Sequence, residues 1–214
     1  MSESPGIVFV IDDDISIRYA LAGLLRSIGL RVELFSSARE FLSRKPLETP
    51  ACITLDIRLP GMSGLELQRQ LTEAQINIPV IFLTGQGDIA MSVQAMKAGA
   101  VDFLTKPFRD EELLSAIVYA IDRDRLRLQQ ETETKTLHDH FRSLNQRERD
   151  VLNWVASGLL NKQVAAEIGT TEATVKFHRG QLMRKMKADS LADLVRMAAK
   201  LGISVAPRGH RSSR

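Results

Sequence analysis

The sequence predicts an α/β domain built on a doubly wound, five-stranded parallel sheet, followed by an all-α domain of four helices. From residue 7 to residue 104, short apolar runs alternate with longer segments of helical periodicity, which is the pattern of a β-α repeat. Beyond residue 140 only helical patterns follow. The charge balance changes at the same point, because residues 1–140 carry 15 Lys/Arg against 20 Asp/Glu and residues 141–214 carry 14 against 6.

Five apolar runs predict the strands of the first domain. Strands that helices cover on both faces of a parallel sheet are apolar almost throughout, whereas half-exposed strands alternate. Between these runs the apolar residues recur at helical spacing, so that segment 15–28 places Leu21, Leu25 and Ile28 on one face. The predicted strands are 7–11, 31–34, 51–55, 79–83 and 101–104, and the predicted helices between them are 15–28, 37–42, 65–71 and 89–98.

The segment that joins the two domains has the composition of a polar helix. A helical pattern begins at residue 109 and loses its apolar stripe over 122–139, a stretch without Gly or Pro. Four further helices are predicted over 146–157, 161–168, 172–187 and 191–201. We therefore expect one domain over 5–122, a solvated helical linker over 123–140, a second domain over 141–203 and a disordered tail over 204–214.

The composition of the chain bears on its location and on its partners. No apolar run approaches the roughly 18 residues of a membrane span, and the first residues lack the basic and apolar segments of a signal peptide. We expect a soluble, cytoplasmic protein with no membrane partner. The single cysteine, Cys52, excludes an intramolecular disulfide. The net charges of −5 over 1–140 and +8 over 141–214 indicate that the second domain meets a polyanion.

Four of the predicted strands end in polar residues, namely Asp12-Asp13, Asp56, Thr84 and Lys106. Each of these taken singly also fits a surface turn or a helix cap. In a parallel sheet, however, all four strand ends meet at the edge where ligands bind. Their joint occurrence therefore predicts a site.

The residue types at this edge indicate phosphoryl transfer. Three carboxylates repel one another and require a cation, and an oxygen-only cluster without His or Cys favours Mg²⁺. A lysine and a hydroxyl add a second positive charge and a hydrogen-bond donor, which suit a reaction driven by positioning and charge neutralisation. A carboxylate that acts as nucleophile forms an aspartyl phosphate.

These residues stand in motifs that resemble the receiver domains of two-component response regulators, which have a flavodoxin-like fold. The motifs are Val-Ile-Asp12-Asp13-Asp14, Leu-Asp56-Ile-Arg58-Leu-Pro60-Gly61, Phe-Leu-Thr84-Gly and Phe103-Leu-Thr-Lys106-Pro107, within residues 5–122. The resemblance implies that Asp56 accepts a phosphoryl group from a separate sensor histidine kinase. It also implies that Asp13 binds Mg²⁺ directly, that Asp12 assists through water, and that the carbonyl of Arg58 is a further ligand.

The same resemblance assigns roles to residues around the phosphoryl group. Thr84 and Lys106 contact that group, and the Lys106-Pro107 peptide is expected to be cis. Phe103 corresponds to a switch aromatic, with an ordinary core aromatic as the alternative. Arg58 and Gln86, two residues after Asp56 and Thr84, would tune the phosphoryl lifetime. The chain then catalyses only its own phosphorylation and dephosphorylation and is not an enzyme in the ordinary sense.

Two other classes use similar chemistry or the same sheet order. Phosphatases of the haloacid dehalogenase type need a second carboxylate two residues after the nucleophile, where this chain has Arg58. A flavin-binding electron carrier would place an FMN phosphate beside Asp12, Asp13 and Asp56, which would repel it. Both classes therefore fit the residues less well.

The second domain contains the pattern of a helix-turn-helix. A short helix over 161–168 is followed by Gly169-Thr170, and Thr171 can cap a longer helix over 172–187. The outer face of that helix is basic, which suits a helix that enters a DNA groove.

The motifs of this region resemble the LuxR/NarL (GerE-type) DNA-binding domain. They are Leu-Asn-Gln-Arg-Glu-Arg-Asp-Val-Leu, Gly-Leu-Leu-Asn-Lys162-Gln-Val-Ala and Thr174-Val-Lys176-Phe177-His-Arg179-Gly180. With the receiver, this is the FixJ/NarL class of regulator. The resemblance makes 172–187 the recognition helix of a protein that binds double-stranded promoter DNA, dimerises when phosphorylated, and has RNA polymerase as a further candidate partner. The resemblance places Lys176, Phe177 and Gly180 at base-edge positions and Arg179, Arg184, Lys185 and Lys162 toward phosphates, with Thr174 as a further DNA-binding residue.

Overall fold

The structure, a computed structural model, describes residues 5–45, 48–85 and 89–203, and it divides into two compact units, Met1–Gln129 and Gln130–Arg214. The predicted tail and Gln86 lie outside the described residues. The first unit contains β1 (Ile7–Ile11), α1 (Ile15–Ser27), β2 (Arg31–Phe35), α2 (Ala38–Leu42), β3 (Ala51–Asp56), α3 (Gly64–Glu73), β4 (Val80–Thr84), α4 (Ile89–Lys97), β5 (Asp102–Thr105) and the first part of α5 (Asp110–Arg142).

The five strands form a parallel sheet in the order β2-β1-β3-β4-β5, which confirms the predicted fold class. The three central strands are buried along their whole length, as their continuous apolar sequences require, while the edge strands β2 and β5 are partly exposed. Ile11 pairs with Leu55, so the residues that follow each of them come level at one edge.

Two cores cover the two faces of this sheet. Phe9, Ile53 and Phe82 point to one face and pack against residues of α2, α3 and α4. Val10 and Ile81 point to the other face and pack against α1 and α5. Because successive side chains of a strand alternate between faces, a buried strand contributes side chains to both cores.

Gly64 allows the helix after β3 to start against the end of that strand. A Cβ at this position would lie 2.4 Å from the main-chain oxygen of Asp56. The preceding Ser63 caps α3 through a reciprocal capping box with Glu66. The backbone after Asp56 is thereby fixed from both sides.

The second unit contains the end of α5 followed by α6 (Gln146–Ala156), α7 (Asn161–Glu167), α8 (Glu172–Met186) and α9 (Leu191–Lys200). Helix α5 continues through the predicted linker, so the expectation of helix there is confirmed. Most of this segment is exposed, as expected for a solvated linker, but two of its residues are buried. Leu137 is buried in the core of the second unit with Phe141 packed against it, and Asp124 is buried in the first unit. No helix within the described ranges is long and apolar enough to cross a membrane.

Candidate functional sites

Three carboxylates converge at the edge of the sheet where the central strands end. Asp12 and Asp13 follow β1, and Asp56 is the last residue of β3. One carboxylate oxygen from each of the three residues lies within 4.8 Å of the others. Asp12 is fully buried, Asp56 is buried and Asp13 is exposed, so the cluster opens to solvent on one side.

Lys106 reaches this cluster from the end of β5. Its Nζ lies 2.7 Å from Oδ2 of Asp12 and 3.3 Å from Oδ2 of Asp56. Its main-chain N–H donates to the carbonyl of Thr84 at 2.6 Å, and the Lys106-Pro107 peptide is cis, as predicted. The single ammonium thus bridges the two buried carboxylates.

The charges at this site act on one another. Burial raises the pKa of Asp56 above its ordinary value, the ammonium of Lys106 opposes that shift, and the carboxylate of Asp12 adds to it. Burial alone would lower the pKa of Lys106, but the hydrogen bond to Asp12 and the charges of Asp56 and Asp12 outweigh it, so the pKa is raised. Lys106 is therefore held in its charged form.

The donor set fits a hard divalent cation. All three side chains offer oxygen ligands, and one lysine leaves the three carboxylates with an excess of negative charge. The main-chain N–H of Arg58 approaches Oδ1 of Asp56 at 3.4 Å, which brings this part of the loop beside the cluster. Metal binding by the Arg58 carbonyl stays a prediction.

Thr84 and Phe103 lie on the same face of the sheet. Phe103 pairs with Phe82, and Thr84 pairs with Thr105, two residues beyond Phe103. Thr84 is buried and its hydroxyl donates to the carbonyl of Gly85 at 3.2 Å. Phe103 has 36% of its surface exposed, so the reading of this residue as an ordinary core aromatic is wrong.

Arg18 is a residue of this edge that the sequence interpretation missed. Its guanidinium donates to the main-chain carbonyl of Asp12 at 2.6 Å from the first turns of α1. Asp14, which caps α1, orients that helix at the site. The four-residue spacing from Asp14 to Arg18 was the available signal, since it places both near the start of one helix.

In the second unit, α7 and α8 form the predicted helix-turn-helix. The hydroxyl of Thr171 accepts from the N–H of Thr174 at 3.2 Å, which confirms Thr171 as the cap of α8. The inner face of α8 is anchored by Val175, Leu182 and Met186, all buried in the second core. Five of the expected DNA-contacting residues are exposed: Lys162, Lys176, Phe177, Gly180 and Arg184.

The other three expected contacts are partly buried and hydrogen-bonded within the unit. Lys185 donates to the buried carboxylate of Glu148 at 2.7 Å, which ties α8 to α6. Arg179 donates to Oδ1 of Asn161 at 3.0 Å, which ties α8 to α7, and the hydroxyl of Thr174 contacts that of Thr171 at 2.9 Å. These three residues therefore hold the recognition helix in place.

Glu148 was missed as a structural partner of the recognition helix. The sequence Asn145-x-x-Glu148 signals a capping box, and the structure contains one. Capping boxes occur at exposed helix ends as well as buried ones, so the motif gave no sign that Glu148 would be 3% exposed and paired with Lys185.

Comparison with known proteins identifies both units. Residues 8–118 match the response regulator receiver domain, and residues 142–198 match the luxR family of bacterial regulatory proteins. Nodulation protein W of Bradyrhizobium diazoefficiens is 54% identical over 203 residues, which cover 95% of this chain and 89% of that protein. The response regulator protein TodT of Pseudomonas putida F1 is 49% identical, over 94% of this chain and 88% of its own.

Solved structures agree with this assignment. The response regulator StyR superimposes with a TM-score of 0.85 at 47% identity, covering 92% of this chain and 100% of its own. Full-length FixJ from B. japonicum gives a TM-score of 0.57 at 39% identity, covering 93% of this chain and 98% of its own. The chain belongs to the response regulators that join a receiver domain to a LuxR-type DNA-binding domain, and it is a phosphorylation-dependent transcriptional regulator.

Proposed function

We propose that Asp56 accepts a phosphoryl group from a cognate sensor histidine kinase, with Mg²⁺ held by Asp13, Asp56 and the carbonyl of Arg58, and by Asp12 through water. The observation that carries the proposal is the contact of Lys106 with both Asp12 and Asp56, beside a third carboxylate. Asp12 and Asp56 are buried and Asp13 is exposed, so a phosphodonor would approach Asp56 from the side of Asp13.

The transfer needs positioning and neutralisation of charge. A carboxylate oxygen of Asp56 forms the new P–O bond while the P–N bond to the kinase histidine breaks, and the imidazole leaves with the electron pair. Mg²⁺, when bound, supplies positive charge to the phosphoryl oxygens. Lys106 donates a hydrogen bond to one of these oxygens, and the hydroxyl of Thr84 donates to another. In this scheme the chain acts on no other substrate, and we propose that it works in the cytoplasm, where its DNA lies.

Phosphorylation of the purified chain tests this assignment. Mg²⁺ with a small phosphodonor should add one acid-stable, base-labile phosphoryl group, detected by intact-protein mass spectrometry. Asp56→Asn should abolish the addition, and Asp102→Asn, at the start of β5, should leave it unchanged. If Asp56→Asn is still phosphorylated, Asp56 is not the phosphoryl acceptor.

We also infer that phosphorylation promotes dimerisation through the face made by residues 91–98 and 101–104, which takes in most of α4 and β5. Val93 and Met96 of α4 are 49% and 44% exposed, and Phe103 of β5, the strand that α4 contacts, is 36% exposed. A phosphoryl group that draws the Thr84 hydroxyl toward the site leaves room for Phe103 to turn inward, which changes this surface. Switching such an equilibrium from 1:99 to 99:1 takes about 5.5 kcal/mol of differential interaction, which a few charge-assisted hydrogen bonds at about 1.5–3 kcal/mol each supply.

Sedimentation velocity with and without beryllofluoride tests the dimer. The wild-type chain should shift from monomer to dimer, and Val93→Glu should prevent the shift. Ile28→Glu is the matched control, because Ile28 is a similarly exposed apolar residue, at 47%, and lies elsewhere in the unit at the C-cap of α1. If the modified chain stays monomeric yet binds DNA tightly, dimerisation is not the mechanism, and phosphorylation must act by relieving inhibition of one domain by the other.

The second unit is proposed to bind promoter DNA through α8, with RNA polymerase as a further candidate partner. The exposed Lys162, Lys176 and Arg184 provide positive charge for the polyanion, so binding should weaken steeply as salt rises. Lys162→Ala should weaken specific and random DNA about equally, whereas Lys176→Ala should cost about 1–3 kcal/mol and relax sequence preference. Binding that does not respond to salt would contradict an electrostatic interface.

A further inference from the structure

The recognition helix has a gap in its exposed face at Gly180. This residue lies in the interior of α8, and its φ is outside the left-handed range that favours glycine. A Cβ built there meets no heavy atom of the described residues within 4 Å. Glycine is less favourable than alanine inside a helix, so the fold itself gains nothing from Gly180.

An aromatic ring lies exposed one turn before the gap. Phe177 has 61% of its surface exposed, and its position three residues before Gly180 places both on one face of the helix. The ring of His178 packs edge-on against that of Phe177, with centroids 5.6 Å apart. The exposed face therefore combines a large apolar ring with an open space.

Cations surround this apolar surface. Lys176 precedes Phe177, and Arg184 follows Gly180 by one turn; both are exposed, as is Lys162 on α7. A helix that exposes both cations and an apolar ring is complementary to a polyanion that carries an apolar group. In the major groove of DNA, the apolar group on a base edge is the 5-methyl of thymine.

We propose that Phe177 and Gly180 read thymine in the DNA half-site, the ring contacting the 5-methyl group and the glycine letting the helix approach closely. The inference rests on the proposed binding of DNA by α8 and names part of its sequence specificity. Lys176 then reads a neighbouring base edge by hydrogen bonding, while the more distant cations contact phosphates.

A glycine without structural need does not identify a function by itself. Gly23 of α1 is also exposed in a helix, and a Cβ there likewise meets nothing in the described part of the chain within 4 Å. Tyr19, 63% exposed, lies one turn before Gly23, and the exposed Arg26 lies one turn after it, so α1 repeats the ring and the cation. What distinguishes Gly180 is its place on the second helix of the helix-turn-helix, which is the helix proposed to enter the DNA groove. Gly23 therefore serves as the matched control for the effect of helix propensity.

The test begins with selection of preferred sites from random DNA by the full chain treated with beryllofluoride. Each thymine of the selected half-site is then replaced by deoxyuracil, which lacks only the 5-methyl group. The wild-type chain should lose affinity about fourfold at one or two positions, the effect of withdrawing one buried methyl group. Phe177→Ala should bind thymine and uracil sites equally at those positions, and Lys162→Ala should bind more weakly with the thymine preference intact.

Gly180→Ala completes the test. It should raise the melting temperature of the second unit and weaken binding to the selected site, whereas Gly23→Ala should raise the stability of the first unit and leave DNA affinity unchanged. Undiminished binding by Gly180→Ala, or a thymine preference that survives Phe177→Ala, overturns the inference. Sequence-selective binding without any uracil penalty also overturns the inference alone. A chain that selects no sequence overturns the proposed DNA binding with it.

Discussion

Glu148 and Lys185, which the sequence alone would place at the surface, hold the recognition helix α8 against α6. Glu148 accepts hydrogen bonds from Lys185 at 2.7 Å and from the N–H of Asn145 at 2.8 Å, in a position closed to solvent. Burial alone would raise the pKa of Glu148, but these two donors outweigh it and the pKa is lowered from 4.5. A carboxylate with a lowered pKa stabilises the folded state above its ordinary pKa and loses that contribution as the pH falls through the lowered value.

Glu148→Gln should therefore destabilise the second unit at neutral pH by about 1–3 kcal/mol, because Lys185 loses its charged partner. The difference from wild type should shrink as the pH falls below 4.5 and disappear once the pH has fallen through the lowered pKa of Glu148, where the wild-type carboxylate is protonated. The fluorescence of Trp154, the single tryptophan, reports the unfolding because it packs against the core of this unit. Glu167→Gln, an exposed control in α7, should change little; a pH-independent effect of Glu148→Gln would contradict the role of its charge.

Leu160 is an unusual residue for the start of a helix. It occupies the N-cap of α7, where its side chain has no atom that accepts a hydrogen bond, and it is 71% exposed. Its own N–H is satisfied by Oε1 of Gln163 at 2.9 Å, so half of a capping box is already present.

Leu160→Ser should complete this box and stabilise the second unit by about 1 kcal/mol. Urea unfolding followed by Trp154 fluorescence measures the gain. Leu160→Ala removes the same exposed apolar surface without adding an acceptor, and it should give no comparable gain. Equal stabilisation by both variants would attribute the effect to lost apolar exposure and not to capping.

At the scale of elements, Asp124 fastens α5 to the sheet. Its buried Oδ2 accepts from the N–H of Ala51, the first residue of β3, at 2.9 Å, and its Oδ1 accepts from Nε of Arg127 at 2.8 Å. One turn earlier Ile121 packs on Gly6, where a Cβ would approach it to 2.6 Å. The helix is thus held at the strand ends opposite the acidic cluster.

Asp124→Ala should destabilise the first unit by about 1.5–3 kcal/mol, since it leaves the buried N–H of Ala51 without this charged acceptor. Hydrogen exchange should increase at Ala51 and in the adjoining turns of α5. Asp122→Ala is the control, because Asp122 is an exposed aspartate whose ion pair with Arg125 lies at the surface. Exchange that rises equally in both variants would contradict the role of Asp124, because alanine is the better helix former and neither change lowers helix propensity.

The same elements show what sequence alone could provide. Strands β1, β3 and β4 were predicted because burial on both faces imposes a continuous apolar run, and the strand-end position of Asp56 followed from that run. The buried positions of Asp124, Leu137 and Glu148 were not predicted. The burial of each depends on a contact between elements that are distant in the sequence. A single acidic or apolar residue in a polar helix forms no periodic pattern, so the sequence does not show that it is buried.

For the whole molecule, the distribution of buried residues defines two independent units. Every residue of the two cores that cover the sheet precedes Gln129, and every residue of the third follows Gln130. The third core includes Leu137, and Phe141 packs on it with the guanidinium of Arg149 5.2 Å from its ring centroid. A fragment of the second unit therefore keeps its whole core only if it includes the last turns of α5, and the sequence-based boundary at residue 141 would remove Leu137.

A fragment of residues 130–203 should thus be more stable than one of residues 143–203 by about 2–4 kcal/mol, since the shorter one loses Leu137 and Phe141 from its core. Urea unfolding followed by Trp154 fluorescence compares the two, and Leu137→Ala in the longer fragment should account for much of the difference. Lys135→Ala, an exposed change in the same helix, should have little effect. At urea concentrations at which both fragments are folded, both should bind DNA with a steep dependence on salt, because both contain the cations of α7 and α8. Equal unfolding midpoints would mean that α6–α9 form a complete core by themselves and that the turns of α5 after Gln130 add nothing to it.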